Sequence, residues 1–496
     1  VAAWLQVALA GLPIVVILIA MLGARWSAAR AGAAGLALTL PIAWLVFGYG
    51  RTVLPELGPI AATGGALAEA VFIAATILWI IFPALCIHEL QQRTSALEVL
   101  RSAMGRLSPD PRILALLVAW FFVLFVEGAA GFGRVESVTI ALVGHSVGVS
   151  FGAVGTPILP QLAVTPFSGL ELASATAAYH SLVGWMMPLV AMLMVTRSLP
   201  PEQRSGPAIW GWTLAAAALF LIPHQLIATF VGPELPTLGG SLVGGAAFIG
   251  ALRVARGRSP ETASLGSGVP AGGVVRAATP YLALVALVLA TRLVPQVREA
   301  LTGLEASWSA GPFGGTFAAL YHPGTLLLAS FAVGAASQGA AASEVSGAMR
   351  AALRQLVPVT LALVAMLAIS RLMVYSGMID ALAAAAAVAA GSLWPLFAPF
   401  VGVLGTFVTG SATASNILFT DFQQATALRL GLPALPLIGA QGFGAAVGNI
   451  VCPHNVIAAG ATVQLAGREG EVLRRTLGVA LGYALLGGLA ALFVYV

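Results

Sequence analysis

The chain has 496 residues, of which 59% are hydrophobic and only 8% charged. Soluble domains carry about 25% charged residues, so the composition excludes an ordinary soluble enzyme or binding domain. The net charge of +5 does not point to nucleic acid either, because all 23 Lys-plus-Arg positions are arginine, a compositional bias rather than a binding patch.

The apolar residues fall in blocks free of Asp, Glu, Lys and Arg: 1–24, 31–50, 70–88, 172–196, 205–233, 381–420, 430–467 and 476–496. A membrane span needs roughly 20 apolar residues, so the blocks predict about 12–14 passes. The expected fold class is all-α, a polytopic integral membrane protein surrounded by lipid bilayer. The first block, "VAAWLQVALAGLPIVVILIAMLG", has no basic leading region and no small-residue cleavage site, and it reads as a true span rather than a signal peptide.

Arginine clusters at 89–112, 253–276 and 468–475 are placed in the cytoplasm by the positive-inside rule. Both termini then come out on the external side. Cys86 and Cys452 lie in apolar sequence and suggest no disulfide framework.

The string "VEGAAGFG", Val126 to Gly133, puts Glu127 among glycines in an apolar run. A charged, unpaired carboxylate costs about 2.5–3.5 kcal/mol at the centre of a membrane helix. Glu127 is therefore protonated, paired or beside a wet cavity, which suits proton coupling; pairing with Arg134 or an interfacial position is the plainer reading. Gly131 and Gly133 let the backbone leave helical geometry toward a cavity. His145 adjoins a second Gly-rich string, "FGAVGTP" from Phe151, and is a second proton-coupling candidate. Otherwise His145, like His180, His224 and His322, is a structural histidine in apolar surroundings.

The stretch from Arg253 is the one long Gly/Ser/Pro-rich polar segment. It divides the chain into an N-terminal membrane half (1–252, first break 126–157), a linker (253–276) and a C-terminal half (277–496, second break 405–455). "VEGAAGFG" can be set against "VTGSATAS" from Val408, and "FGAVGTP" against "FGAAVGN" from Phe443. Paired interrupted segments in two related halves point to a transporter binding site; chance matching of Gly/Ala strings is the alternative.

In the second half, Arg292 ends an uncharged run and is read as snorkelling to an interface rather than buried. Arg371 also follows an uncharged run, and its guanidinium suits bidentate binding of a carboxylate, with snorkelling as the rival reading. Asp380 follows a "YSG" break and is a partner candidate for Arg371. The break "GTFVTGSATASN" supplies Thr409, Ser411, Thr413, Ser415 and Asn416 beside a helix N-terminus, a donor-rich place for a small carboxylate or an ion. Hydroxyls bonded back to their own helix are the alternative. His454 adjoins the last Gly-rich break. No HExxH, paired CxxC or EF-hand spacing occurs, so neither metal nor cofactor is expected.

Several strings together resemble the bacterial L-lactate permease family, which includes glycolate permeases. They are "IIFPALCIHELQQRTSALEVL", "LSPDPRILALLVAWFFVLFVEGAAGFG", "SFGAVGTPI", "GPELPTLGG", "PYLALVALVLATRLVP", "RLMVYSGMIDALA" and "GTFVTGSATASN", in order along most of the chain. The resemblance implies a secondary transporter importing 2-hydroxy monocarboxylates with protons through the bacterial inner membrane, built on two re-entrant hairpins and not an enzyme. It also implies that Glu127, Arg371 and the hydroxyls of 409–416 are the places to look. A sodium-coupled or exporting carrier is the near alternative, and a membrane-embedded lipid-modifying enzyme the distant one.

Three departures stand out. Ala412 replaces an acidic residue common in the family's "GSDTSSN". "GNIVCPHN" replaces "GKMISPQ", putting Asn449 and His454 where the family has Lys and Gln. After "GAAGFG" the family continues through a further apolar, helix-like run, which "RVESVTIALVGHSVGVS" replaces here; within the chain, Gly128 to Phe151 is likewise roughly ten residues shorter than Gly410 to Phe443, most of three helical turns.

Overall fold

In the computed structural model the described residues are 2–24, 26–105, 107–108, 110–122, 135–200, 206–256, 271–452, 455–456 and 469–495. The N-terminal helices are α1 (Ala3–Leu22), α2 (Ala28–Leu45) and α3 (Gly58–Arg93). After α4 (Val135–His145) the chain unwinds. Val149–Phe151 and Thr156–Ile158 form single 3-10 turns, and Ala153 and Val154 take φ of 44° and 59° between them. Positive φ is a genuine outlier for a β-branched residue, so this break is backbone held by its surroundings. It leads into α5 (Leu159–Val164), α6 (Gly169–Val183) and α7 (Met186–Ser198).

Then come α8 (Pro207–Phe230), α9 (Pro236–Arg256) and α10 (Ala271–Leu293). The expected linker is thus helical at both ends. An antiparallel hairpin follows, β1 (Ala306–Ala310) and β2 (Phe313–Phe317), with Ala306 opposite Phe317 and Ala310 opposite Phe313. The rest is helical: α11 (Pro323–Gln338), α12 (Ala342–Tyr375), α13 (Met378–Ala390), α14 (Trp394–Thr409), α15 (Ala412–Leu430), α16 (Ala434–Gly448) and α17 (Glu469–Ala490). The protein is an all-α polytopic membrane protein with broken segments; the small hairpin was not expected from the sequence.

Among the described residues nine helices are long and apolar enough to cross a membrane, and two bent pairs, at 57° and 44°, raise this to eleven. The expectation of 12–14 counted long charge-free blocks as full passes. Among the described residues, α13 and α14, of 13 and 16 residues, adjoin to form a single candidate span, Met378–Thr409, while α15 and α16 have 19 and 15 residues. At 1.5 Å per residue α15 and α16 reach about 22–28 Å, less than the roughly 30 Å hydrocarbon core. Conversely α3 and α12 have 36 and 34 residues and overreach it.

The two paired Gly-rich strings differ in shape. Phe151–Pro157 is unwound, whereas Phe443–Gly448 is helical to its end and the turn falls at 449–451. Proline biases the residue before it out of the helical region, and Pro157 follows its glycine closely while Pro453 comes later.

Large apolar side chains lie on the outside as well as in the core, and polar ones are buried. Ile60, Val254 and Val388 are exposed, while Thr176, His180, Ser415, Asn416, Gln423 and Gln441 are fully buried. In a bilayer the outside is as apolar as the core, so packing and polar pairing decide what faces inward.

Candidate functional site

Three helices bring a cation and two carboxylates together. Arg371 lies on α12, one turn before its end; Glu69 lies on α3 and Asp421 on α15. Arg371 Nη2 donates to Asp421 Oδ2, and Nη1 lies 3.6 Å from Glu69 Oε1. The three side chains are 6%, 11% and 9% exposed. The Ser370 hydroxyl donates to Asp421 Oδ2 at 3.2 Å, and the Tyr375 hydroxyl donates to Glu69 Oε2 at 2.6 Å. Arg371 Nε, also buried, makes no hydrogen bond to a described residue. Two carboxylates thus share one guanidinium that keeps a spare donor. Burying charge is costly unless it is compensated, and with both acids ionised one negative charge is in excess.

This geometry corrects the expected Arg371–Asp380 pair. Asp380 sits in the first turn of α13, beyond the left-handed Gly377 turn, with its side chain 65% exposed and Arg429 3.9 Å away. Glu69 and Asp421 escaped notice because they bound charge-free blocks and so resembled loop residues. A better signal was available: Glu69 is the one charged residue between Glu56 and Glu89, and Asp421 the one between Asp380 and Arg429.

The second break is braced rather than open. Gly410, at φ +78°, closes α14 and Ser411 caps α15, its hydroxyl accepting from the Ala414 N–H at 3.4 Å. The single Thr409 hydroxyl hydrogen has the Gly405 and Ser411 carbonyls within reach, and Ser415 donates to the Gly402 carbonyl. These two hydroxyls are therefore bonded to backbone. Thr413 is buried and carries no hydrogen bond to a described residue.

Asn416 ties the two breaks together: its Nδ2 donates to the Pro157 carbonyl at 2.8 Å. Gln441 on α16 donates to Ser415 Oγ at 3.1 Å and to Asn416 Oδ1 at 3.4 Å, and Gln423 donates to Gln441 Oε1 at 3.2 Å. Ser150, in the first break, bonds His180, whose other nitrogen bonds Tyr483 on α17. His180 is thus a satisfied structural histidine.

His145 ends α4 and lines a cavity of about 350 Å³ together with His88, Glu234, Tyr281 and the unwound Ala153 and Val154. Arg292, expected at an interface, is instead buried. Its Nη2 lies 2.6 Å from Glu234 Oε1, and its guanidinium sits 3.7 Å above the Tyr321 ring centre. Asn449 caps α16 and its carboxamide oxygen accepts from Asn455. Glu127, Gly131, Gly133 and His454 lie outside the described residues.

An L-lactate permease family model matches residues 6–310 and 309–496. The chain is 27% identical to the L-lactate permease of Bacillus subtilis (strain 168), over 94% of this chain and 91% of that one. It is 27% identical to the L-lactate permease of Escherichia coli (strain K12), over 96% and 93%. It is also 26% identical to the glycolate permease GlcA of the same organism, over 97% and 94%. Among solved structures, the Alcanivorax borkumensis YdaH transporter aligns over 88% of this chain and 87% of its own at 16% identity, with a TM-score of 0.41.

Proposed function

The chain belongs to the L-lactate permease family, and from that premise we propose that it is a secondary transporter of small 2-hydroxy monocarboxylates, lactate and glycolate among them, coupled to protons. The observation that carries the coupling is the buried Glu69–Arg371–Asp421 cluster. Its surplus carboxylate gives a proton a reason to enter. One bound proton leaves a balanced pair around Arg371. A substrate carboxylate competing for the guanidinium would restore the negative charge, so anion and proton are taken up together.

The two breaks that meet at Asn416 and Pro157 supply unwound backbone and a helix N-terminus for the anion. Arg371, Thr409, Ser411, Thr413, Ser415, Asn416, Gly131 and Gly133 are its proposed contacts. Glu127 and His145 are further proton-coupling candidates, and Asn449 and His454, in the sequence of the last break, are further candidate contacts. The protein is placed in the bacterial inner membrane, with the arginine-rich segments in the cytoplasm.

The test is uptake of labelled lactate and glycolate into proteoliposomes with and without an inward proton gradient. Wild type should concentrate one or both acids along the gradient, and Asp421→Asn or Glu69→Gln should lose the gradient-driven component. Uptake that ignores protons but follows sodium would establish the sodium-coupled alternative instead. No uptake of either acid by folded protein would reject this substrate class.

A further inference from the structure

Tyr375 has one hydroxyl hydrogen and two acceptors within reach. Its oxygen lies 2.6 Å from Glu69 Oε2 and 3.2 Å from the carbonyl oxygen of Pro312, in the turn between β1 and β2. An ionised carboxylate and a carbonyl both only accept, whereas a protonated carboxyl can donate. With Glu69 ionised, the hydrogen goes to the carboxylate, because a charge-assisted bond is the stronger one. Tyr375 then has nothing to give Pro312. With Glu69 protonated, the acid donates to the phenol oxygen and the phenol hydrogen is free to hold Pro312.

The hairpin lies where such a signal can move it. Gly65, Glu69 and Phe72 are four and three residues apart and share one face of α3. The Phe313 ring of β2 occupies the space a Cβ on Gly65 would need, 2.1 Å away. The Phe72 ring likewise sits 2.4 Å from where a Cβ on Gly315 would be, and it packs edge-on to Trp308 of β1. Phe313 also meets the Tyr375 ring, centres 4.9 Å apart. The hairpin therefore covers the face of α3 that carries Glu69.

Glu69 is also the acid held less firmly by the cation. Asp421 has a direct bond from Arg371 and a second from Ser370, while Glu69 is 3.6 Å from the guanidinium. The charged and titratable groups around Glu69 are Arg371 and Tyr375 on α12, Asp421 on α15, and Tyr49 ahead of α3, whose hydroxyl donates to the Ala62 carbonyl. Residues 306–317 contribute none.

We propose that Glu69 is the carboxylate that carries the proton, and that Tyr375 is a positioning residue converting its protonation state into the seating of the β-hairpin. The hairpin is held when Glu69 is protonated and loosened when it is ionised. This deepens, and rests on, the proton-coupled transport reading above.

The test is hydrogen–deuterium exchange of peptides covering 306–317 in the full chain, without substrate, over a pH series with intrinsic rates divided out. Glu69→Gln keeps a donor in place of the acid proton. It should slow hairpin exchange several-fold at neutral pH and abolish its pH dependence. Tyr375→Phe keeps the ring on Phe313 but removes the hydroxyl, and should exchange at the fast rate of the ionised wild type at every pH, faster than wild type only where Glu69 is protonated, so that the pH dependence is abolished. The double variant should behave like Tyr375→Phe.

A hairpin that exchanges equally in wild type and Glu69→Gln overturns the proposal. So does a pH dependence that survives in Tyr375→Phe, which would make the tyrosine a structural brace. Should Glu69→Gln fail to fold, the Tyr375→Phe profile decides alone. Because no substrate enters this experiment, a silent hairpin in a protein that still shows proton-driven uptake refutes this inference only. A responsive hairpin in a protein with no uptake counts against the transport reading.

Discussion

At the scale of single residues, the cluster around Arg371 is asymmetric, and this decides what each substitution does. Arg371→Met leaves Glu69 and Asp421 facing each other without a cation. Removing one side of a buried ion pair costs about 3–5 kcal/mol, and here two acids are stranded. Asp421→Asn instead leaves Arg371 and Glu69 in one-to-one balance, with Ser370 and the amide still able to bond. Thermal unfolding in detergent should therefore show a large loss for Arg371→Met and a small one for Asp421→Asn. Equal losses would mean that the second carboxylate is not in surplus. Glu234 and Arg292 form a simpler pair, with no second acid on the guanidinium among the described residues, so that pair carries no surplus negative charge.

At the scale of elements, short helices stack closely because their contact faces lack side chains. A Cβ on Gly444 of α16 would lie 1.9 Å from the Pro399 carbonyl oxygen of α14. That oxygen is backbone, so it cannot rotate aside. Gly444→Ala should part the two helices and cost about 1–3 kcal/mol, the usual range for overpacking. Gly478, inside α17, has nothing within 4 Å of its Cβ position. There alanine should stabilise by about 0.5–1 kcal/mol through lower chain entropy. Melting temperatures of the two variants should move in opposite directions; a neutral Gly444→Ala would show that α14 and α16 can separate freely. The Asn416–Pro157 bond joins the same stack to the unwound first break, so elements far apart in sequence share one buried polar network.

At the scale of the whole molecule, the proposed orientation rests on where arginine accumulates. The segments 89–112, 253–276 and 468–475 hold the dense clusters, and placing them in the cytoplasm puts both termini outside. Epitope tags at the two ends should then be reached by antibody in spheroplasts with an intact inner membrane. Staining of both tags only after permeabilisation would invert the orientation, and staining of one would require an odd number of crossings. The hairpin packs at the end where α3 begins and α12 finishes. Tyr375 closes α12 there, immediately under Pro312.

The sequence by itself determined the class of molecule: long uncharged blocks, scarce charges and Gly-rich breaks leave only a polytopic helical membrane protein. It also marked Arg371, because a cation in an apolar run is conspicuous on its own. What it could not decide was pairing. Asp380 is near Arg371 along the chain, while Glu69 and Asp421 are near only once α3, α12 and α15 pack side by side. Nor could it tell the hydroxyls that brace backbone, Thr409 and Ser415, from Thr413, which does not, because hydrogen-bond partners depend on where neighbouring carbonyls lie. Apolarity is local and additive along a chain, so it can be read in order. Compensation of a buried charge depends on distance in space, and only the tertiary structure fixes that.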